Sequence, residues 1–232
     1  LGIYVGYSDK YRMTSSSGGM ATFVLNELLD KKIVKNIFTV RESEKNFYEY
    51  SIISSKEEVL KSSKTRYFPV TLASVFEEID KLEGKVAVVG IGCFIKAIRL
   101  AQYEDTRLKE KIPFLVGIIC GGLKSNFFTE YLAGKVGVKK NQIVKPEYRI
   151  KNIDSTASDY SFGCNSSYDD DLKTIRMKSV GDMWGTGMFK SNACDFCEDV
   201  TTELADISLG DAWLKPYVNE GKGTSVVVTR SP

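Results

Sequence analysis

Histidine is absent from all 232 residues of this chain. That excludes catalytic arrangements built on imidazole and leaves sulfur and carboxylate as the strong side-chain metal donors. Long hydrophobic runs are missing too; the longest fall far short of the roughly 20 residues a membrane span requires. No signal peptide is visible. Net charge is only +2, lysines and arginines are dispersed, and no nucleic-acid-binding signature occurs, so no nucleic-acid partner is expected. Neither a Walker sequence nor a GxGxxG fingerprint is present. Internal repeats and low-complexity linkers are lacking, and the apolar and charged fractions of 43% and 27% are those of a folded protein. Five cysteines do not make a secreted disulfide scaffold of this size, which fits a reducing, cytoplasmic setting. The chain begins at Leu1 without a methionine and ends just after a strand, which reads as a processed chain or a piece of a longer one.

Against these absences stands a pattern used twice. The apolar run Val86–Val89 leads through Gly90-Ile91-Gly92 to Cys93 and a helix. The run Phe114–Ile119 leads to Cys120-Gly121-Gly122 and another helix. Continuous apolar strands joined through helices predict parallel pairing covered on both faces. Ligand sites in such sheets lie at the carboxyl ends of the strands, where both cysteines fall. The expectation is one α/β domain over residues 1–232. It has a mixed, largely parallel sheet flanked by helices, and an irregular region from about Asn141 onward. Gly2–Tyr7, Ile37–Val40, Phe47–Ser54 and Val226–Val228 read as further strands. A helix with Phe23, Val24 and Leu28 inward follows the first. Ser55 and Glu58 form a capping box, and Thr71 is the expected cap of a helix through Leu82. The helix after Cys93 is expected to bury Ile95, Ile98 and Ala101 and to leave Lys96 and Arg99 free.

The pair Cys194 and Cys197 has the spacing of a zinc knuckle, an iron–sulfur half-site or a redox dithiol. Asp195, Glu198 and Asp199 crowd it with negative charge, which disfavours an attacking thiolate. With Cys93 and Cys120 the pair makes four thiolate ligands for an iron–sulfur cluster or a zinc ion, while packed, unliganded thiols would look the same. Cys164 reads as structural. Ser15-Ser16-Ser17-Gly18-Gly19 before a helix is a candidate phosphate cradle, and a serine-capped helix explains it equally well. Gly121-Gly122-Leu123-Lys124 repeats that chemistry with a lysine at hand. Lys64-Thr65-Arg66-Tyr67 offers cations and a ring at one point, or a charged surface turn. Trp184, among Gly181, Gly185 and Gly187, is either a stacking platform or a packed indole.

Taken together, these segments resemble the coenzyme F420 hydrogenase/dehydrogenase beta-subunit family. The resemblance rests on the serine–glycine turn, Lys64–Tyr67, Val89–Cys93, Gly117–Gly122, and Cys194 to Cys197 running on to Leu204-Ala205-Asp206-Ile207-Ser208-Leu209-Gly210-Asp211. It implies an oxidoreductase, or an electron-transfer subunit, that carries FAD and a 4Fe–4S cluster. Cys93, Cys120, Cys194 and Cys197 would hold the cluster. Ser15, Ser16, Ser17, Gly18 and Gly19 would help hold FAD, beside Lys64, Arg66, Tyr67, Gly121, Gly122 and Lys124. The implied partners are a small hydride carrier, coenzyme F420 or a nicotinamide, and a redox protein or ferredoxin-like domain; an oligomer is compatible with both. The chain has Gly92 and Phe94 where the family commonly has proline and glutamine, and it lacks a ferredoxin-like segment. Two other classes predict different outcomes: a non-redox binding or assembly protein with a structural zinc–thiolate site, and a nucleotide-dependent transferase whose thiols are merely packed.

Overall fold

The computed structural model describes residues 1–230. Its centre is a seven-stranded sheet built from β1 (Gly2–Gly6), β2 (Asn36–Ser43), β3 (Phe47–Ile53), β4 (Val86–Ile91), β5 (Phe114–Ile118), β9 (Ile207–Asp211) and β10 (Ser225–Thr229). The order is β1-β10-β9-β5-β4-β2-β3. The four middle strands, β9, β5, β4 and β2, run parallel, and antiparallel strands close both sides. The two apolar runs are therefore the sheet's interior, with Val86, Ala87, Val88, Leu115 and Val116 fully buried.

Helices α1 (Met20–Asp30), α2 (Lys56–Lys61), α3 (Val75–Asp80), α4 (Gly92–Glu104), α5 (Arg107–Lys111) and α6 (Asn126–Lys135) fall between or after the strands. Among the described residues none is long and apolar enough to cross a membrane. The capping box of α2 forms as its sequence requires: Ser55 Oγ accepts from Glu58 N, and the Glu58 carboxylate accepts from Ser55 N. Three local expectations are corrected. Leu25 and Leu28 carry the buried face of α1 while Phe23 points outward, because the cap at Gly19 sets a helix phase that the sequence left open. Helix α3 starts after Ser74; Thr71 instead accepts from Ala73 N in a local turn. Lys96 and Arg99 on α4 are not free. Lys96 pairs with Glu198 at 3.0 Å, and Arg99 pairs with Asp206 at 3.0 Å and donates to Leu204 O.

The region after Asn141 contains, among long loops, a second sheet. Strands β6 (Ile143–Ile150), β7 (Ser161–Ser166) and β8 (Asp169–Arg176) pair antiparallel in that order, and the short α7 (Met177–Val180) follows. Its alternation is weak for physical reasons: β6 carries two register shifts and β8 is exposed along most of its length. Tyr148, Phe162 and Cys164 pack with Phe128 and Leu132 of α6 into a core of its own.

Candidate functional site

The carboxyl ends of the parallel strands open on a cavity of about 940 Å³. Ser15, Ser16, Ser17 and Gly19 line one end of it. Lys64, Arg66 and Tyr67 come from the segment after α2, and Gly121, Gly122 and Lys124 from the segment after β5. Of the residues expected at the cofactor, Gly18 alone is off the wall. A Cβ there would lie 2.6 Å from Ser225 N and 2.8 Å from Gly6 O, so Gly18 lets the turn pass against the sheet.

Each of the three serine hydroxyls has a partner in the protein. Ser15 Oγ shares a hydrogen bond with Thr22 Oγ1 at 3.2 Å, Ser16 Oγ accepts from Thr65 N at 2.9 Å, and Ser17 Oγ donates to Thr224 O at 3.1 Å. These bonds fix the loop: Ser17 commits its proton to Thr224 O, whereas Ser16, which accepts, keeps its O–H free to donate. The start of α1 is available as well. Gly19 takes φ +79°, and no side chain caps the first amides of the helix. Uncapped amides and the positive end of the helix dipole suit an anion.

Lys64 is held by Glu147 at 3.0 Å. Arg66 lies 4.9 Å over the Tyr48 ring with Nε buried and unpartnered, and burial pulls its pKa down. Lys124 has a different task from the one its sequence suggests. Its side chain is 1% exposed, and Nζ donates to Met183 O and Met188 O at 2.7 Å each, 4.3 Å from the Trp184 ring centre. Burial, with Lys190 nearby, lowers its pKa. Lys124 therefore pins the glycine-rich loop, and the half-buried Trp184 becomes part of the cavity wall, its Nε1 donating to the Tyr160 hydroxyl at 3.1 Å.

Several lining or adjoining residues carried no signal of their own. Arg149, on β6, is 4% exposed and forms a bidentate ion pair with Asp211 at the end of β9. Lys151 donates to Ser17 O at 2.8 Å and to Arg12 O, tying the second sheet to the serine loop. Burial, helped by Arg12, Lys64 and Arg149, pushes its pKa down to about 8. Asp211 closes a stretch already marked by its family resemblance; Arg149 and Lys151 sit where the strand pattern fades.

Ile91 and Ile118 are register partners at the ends of β4 and β5, and Cys93 and Cys120 each follow two residues later. The short 3-10 turn Asn192–Phe196 brings Cys194 and Cys197 to the same place. Gly122 N donates to Cys120 Sγ at 3.4 Å, and Leu123 N to Cys194 Sγ at 3.3 Å. Burial raises the Cys93 and Cys120 thiols, and negative charge on Cys194 and Cys197 would raise both further. The four sulfurs thus share one electrostatic neighbourhood, although among the described residues no three donors converge as a single ion would need. Cys93 and Cys197 are exposed, and Phe196 between the paired cysteines is 88% exposed. Cys120 lines the cavity, so the thiol group reaches from the cavity to the surface. Lys190 pairs with Asp195 and Lys96 with Glu198, which neutralises two of the three carboxylates expected to crowd the pair. Cys164 is buried in β7 within the core of the second sheet, which agrees with a structural role.

Two family models match most of the chain. The model for the C terminus of the coenzyme F420 hydrogenase/dehydrogenase beta subunit matches residues 83–232, and the model for the N-terminal part of that beta subunit matches 3–77. The beta subunit of a coenzyme F420 hydrogenase of Methanosarcina barkeri is 24% identical over 91% of this chain and 72% of its own length. A subunit of the F(420)H(2) dehydrogenase of Methanosarcina mazei is 23% identical over 93% of this chain and 59% of its own length. A coenzyme F420-dependent sulfite reductase of Methanocaldococcus jannaschii is 24% identical over 97% of this chain, which spans 34% of that protein. Among solved structures, a chain of the F420-reducing [NiFe] hydrogenase complex from Methanosarcina barkeri shares the fold. Its TM-score is 0.70 at 21% identity, over 99% of this chain and 74% of that one. The chain belongs to the coenzyme F420 hydrogenase/dehydrogenase beta-subunit family, and the relatives named here are oxidoreductases or their subunits.

Proposed function

We propose that this oxidoreductase holds FAD in the cavity and a 4Fe–4S cluster on Cys93, Cys120, Cys194 and Cys197. It would pass electrons between a small hydride carrier, coenzyme F420 or a nicotinamide, and a one-electron partner protein. The observation that carries this reading is the continuity of the cavity from an uncapped helix start to Cys120. A ligand with a diphosphate at one end and a ring system at the other matches both ends of it.

The residues fit both groups. At the phosphate end, the α1 amides and the ammonium of Lys151, which has no carboxylate partner among the described residues, offset negative charge. Trp184, Tyr67 and Tyr160 give the middle an aromatic wall that excludes water. Four thiols that share a neighbourhood without converging on one point suit a group several atoms wide better than a single ion. When bound, FAD would supply hydride acceptance and single-electron release, and a cluster on the four cysteines would supply one-electron transfer. No side chain has to act as general acid or base, which agrees with the lack of histidine. The exposed edge at Cys93 and Cys197 is where an electron would leave for a partner.

The test is anaerobic purification, cluster reconstitution, and measurement of the visible spectrum with iron, zinc and flavin content. Flavin bands over a broad thiolate–iron absorption, with about four irons per chain, support the reading. Zinc without iron or flavin would replace it with a structural zinc–thiolate site in a binding or assembly protein.

A further inference from the structure

The ion pair between Arg149 and Asp211 is the part of the cavity that the scheme above leaves without a task. Both residues line the cavity, both are largely buried, and the pair is bidentate, with Arg149 Nη2 at 2.8 Å from Asp211 Oδ1. Asp211 ends β9, the strand beside β5, whose chain continues into Cys120. Across from it Ser225 is its register partner on β10, next to Thr224, which holds Ser17. The pair therefore stands midway between the phosphate end and the thiols. The guanidinium carbon lies 5.0 Å from the Tyr160 ring centre and 5.2 Å from that of Trp213. Its Nε is buried and has no hydrogen-bond partner. Arg149 also takes φ +57°, an uncommon backbone state for a side chain of this size.

A buried N–H left without an acceptor is costly, so an acceptor from a ligand would relieve it. The carboxylate of Asp211 already neutralises the guanidinium, which makes the pair a poor counter-charge for phosphate. Its planar, aromatic neighbours suit the edge of a flat ring. Resting on the flavin reading, we infer that the Arg149–Asp211 pair is a ring-recognition element. Arg149 Nε donates to a carbonyl on the edge of the heteroaromatic ring, and Asp211 fixes the orientation of the guanidinium. Arg149 is thus a specificity residue for the ring half of the dinucleotide, and Asp211 its positioning residue.

The whole chain and its Arg149→Gln/Asp211→Asn double variant are titrated with two halves of the ligand. Riboflavin carries the ring without phosphate, and ADP carries the diphosphate without the flavin. The double variant removes both charges at once, so no buried ion is stranded, and a circular dichroism spectrum matching the wild type shows that it has folded. Riboflavin affinity is expected to fall about tenfold to a hundredfold, while ADP affinity stays within about twofold. Arg149→Lys keeps the charge but loses Nε and the planar fork; it should lose riboflavin and keep ADP as well, and it serves if the double variant does not fold. Loss of ADP with riboflavin retained would make Arg149 a phosphate ligand and overturn the inference. Equal loss of both, or of neither, overturns it too. A wild-type chain that binds neither half removes the flavin reading itself, and the inference with it.

Discussion

The two ends of the site are held in different ways. At the serine loop every hydroxyl has a protein partner, Ser16 is bound to Thr65 N, and Lys151 reaches in from the second sheet to Ser17 O. At the thiol end, two sulfurs are exposed, two accept one backbone N–H each, and Cys194 and Cys197 sit in a short turn within a long loop. The first end is completed by folding, so its geometry exists before a ligand arrives. At the second, the protein itself supplies fewer bonds to the side chains of interest. On the proposed reading, one cavity joins a prebuilt anion site to a thiol site that its occupant would complete.

The largest effect should come from the thiol end. Cys197→Ser is expected to drop iron from about four per chain to near zero and to abolish the visible cluster absorption, read by iron assay and spectrum. Gly19→Ala probes the prebuilt end. Its φ is +79°, and a Cβ would lie 2.7 Å from Tyr11 C, so thermal unfolding should show a loss of about 1–3 kcal/mol. FAD affinity should fall with it.

Lys151 gives the comparison a pH dependence. Its pKa is about 8 in the folded chain against an ordinary 10.5, so the unfolded chain holds more protons between those values. Stability of the ligand-free protein should therefore rise across that window because of this group. A bound anion favours the charged ammonium, so anion affinity should fall as pH rises above about 8, by at most about tenfold per unit. Lys151→Met should flatten that slope in FAD titrations. The smallest effect is expected from Ser16→Ala, which strands Thr65 N and should cost about 1 kcal/mol, or about fivefold in FAD affinity.

The same contrast governs what could be read from the chain. The parallel strands, and the cysteine that follows each of β4 and β5, were legible because those strands are buried on both faces and read as continuous apolar runs. The nearness of the four thiols was legible because two of them follow the ends of adjacent strands and two share a short spacing. The second sheet was not, since the bulges in β6 and the exposure of β8 erase the alternation that marks a strand. Arg149 and Lys151 were hidden with it. Lys124 was visible as a residue but not as a role, because only the fold shows Met183 and Met188 wrapping its ammonium with carbonyls.

On the proposed reading the phosphate end would be complete before a cluster binds the thiols, and FAD binding tests this directly. FAD affinity is measured by fluorescence quenching on iron-free protein and again after cluster reconstitution. Independent ends predict dissociation constants that agree within about twofold. Binding that is lost, or weakened more than about tenfold, without iron would show that the two ends form one cooperative unit and would contradict the account.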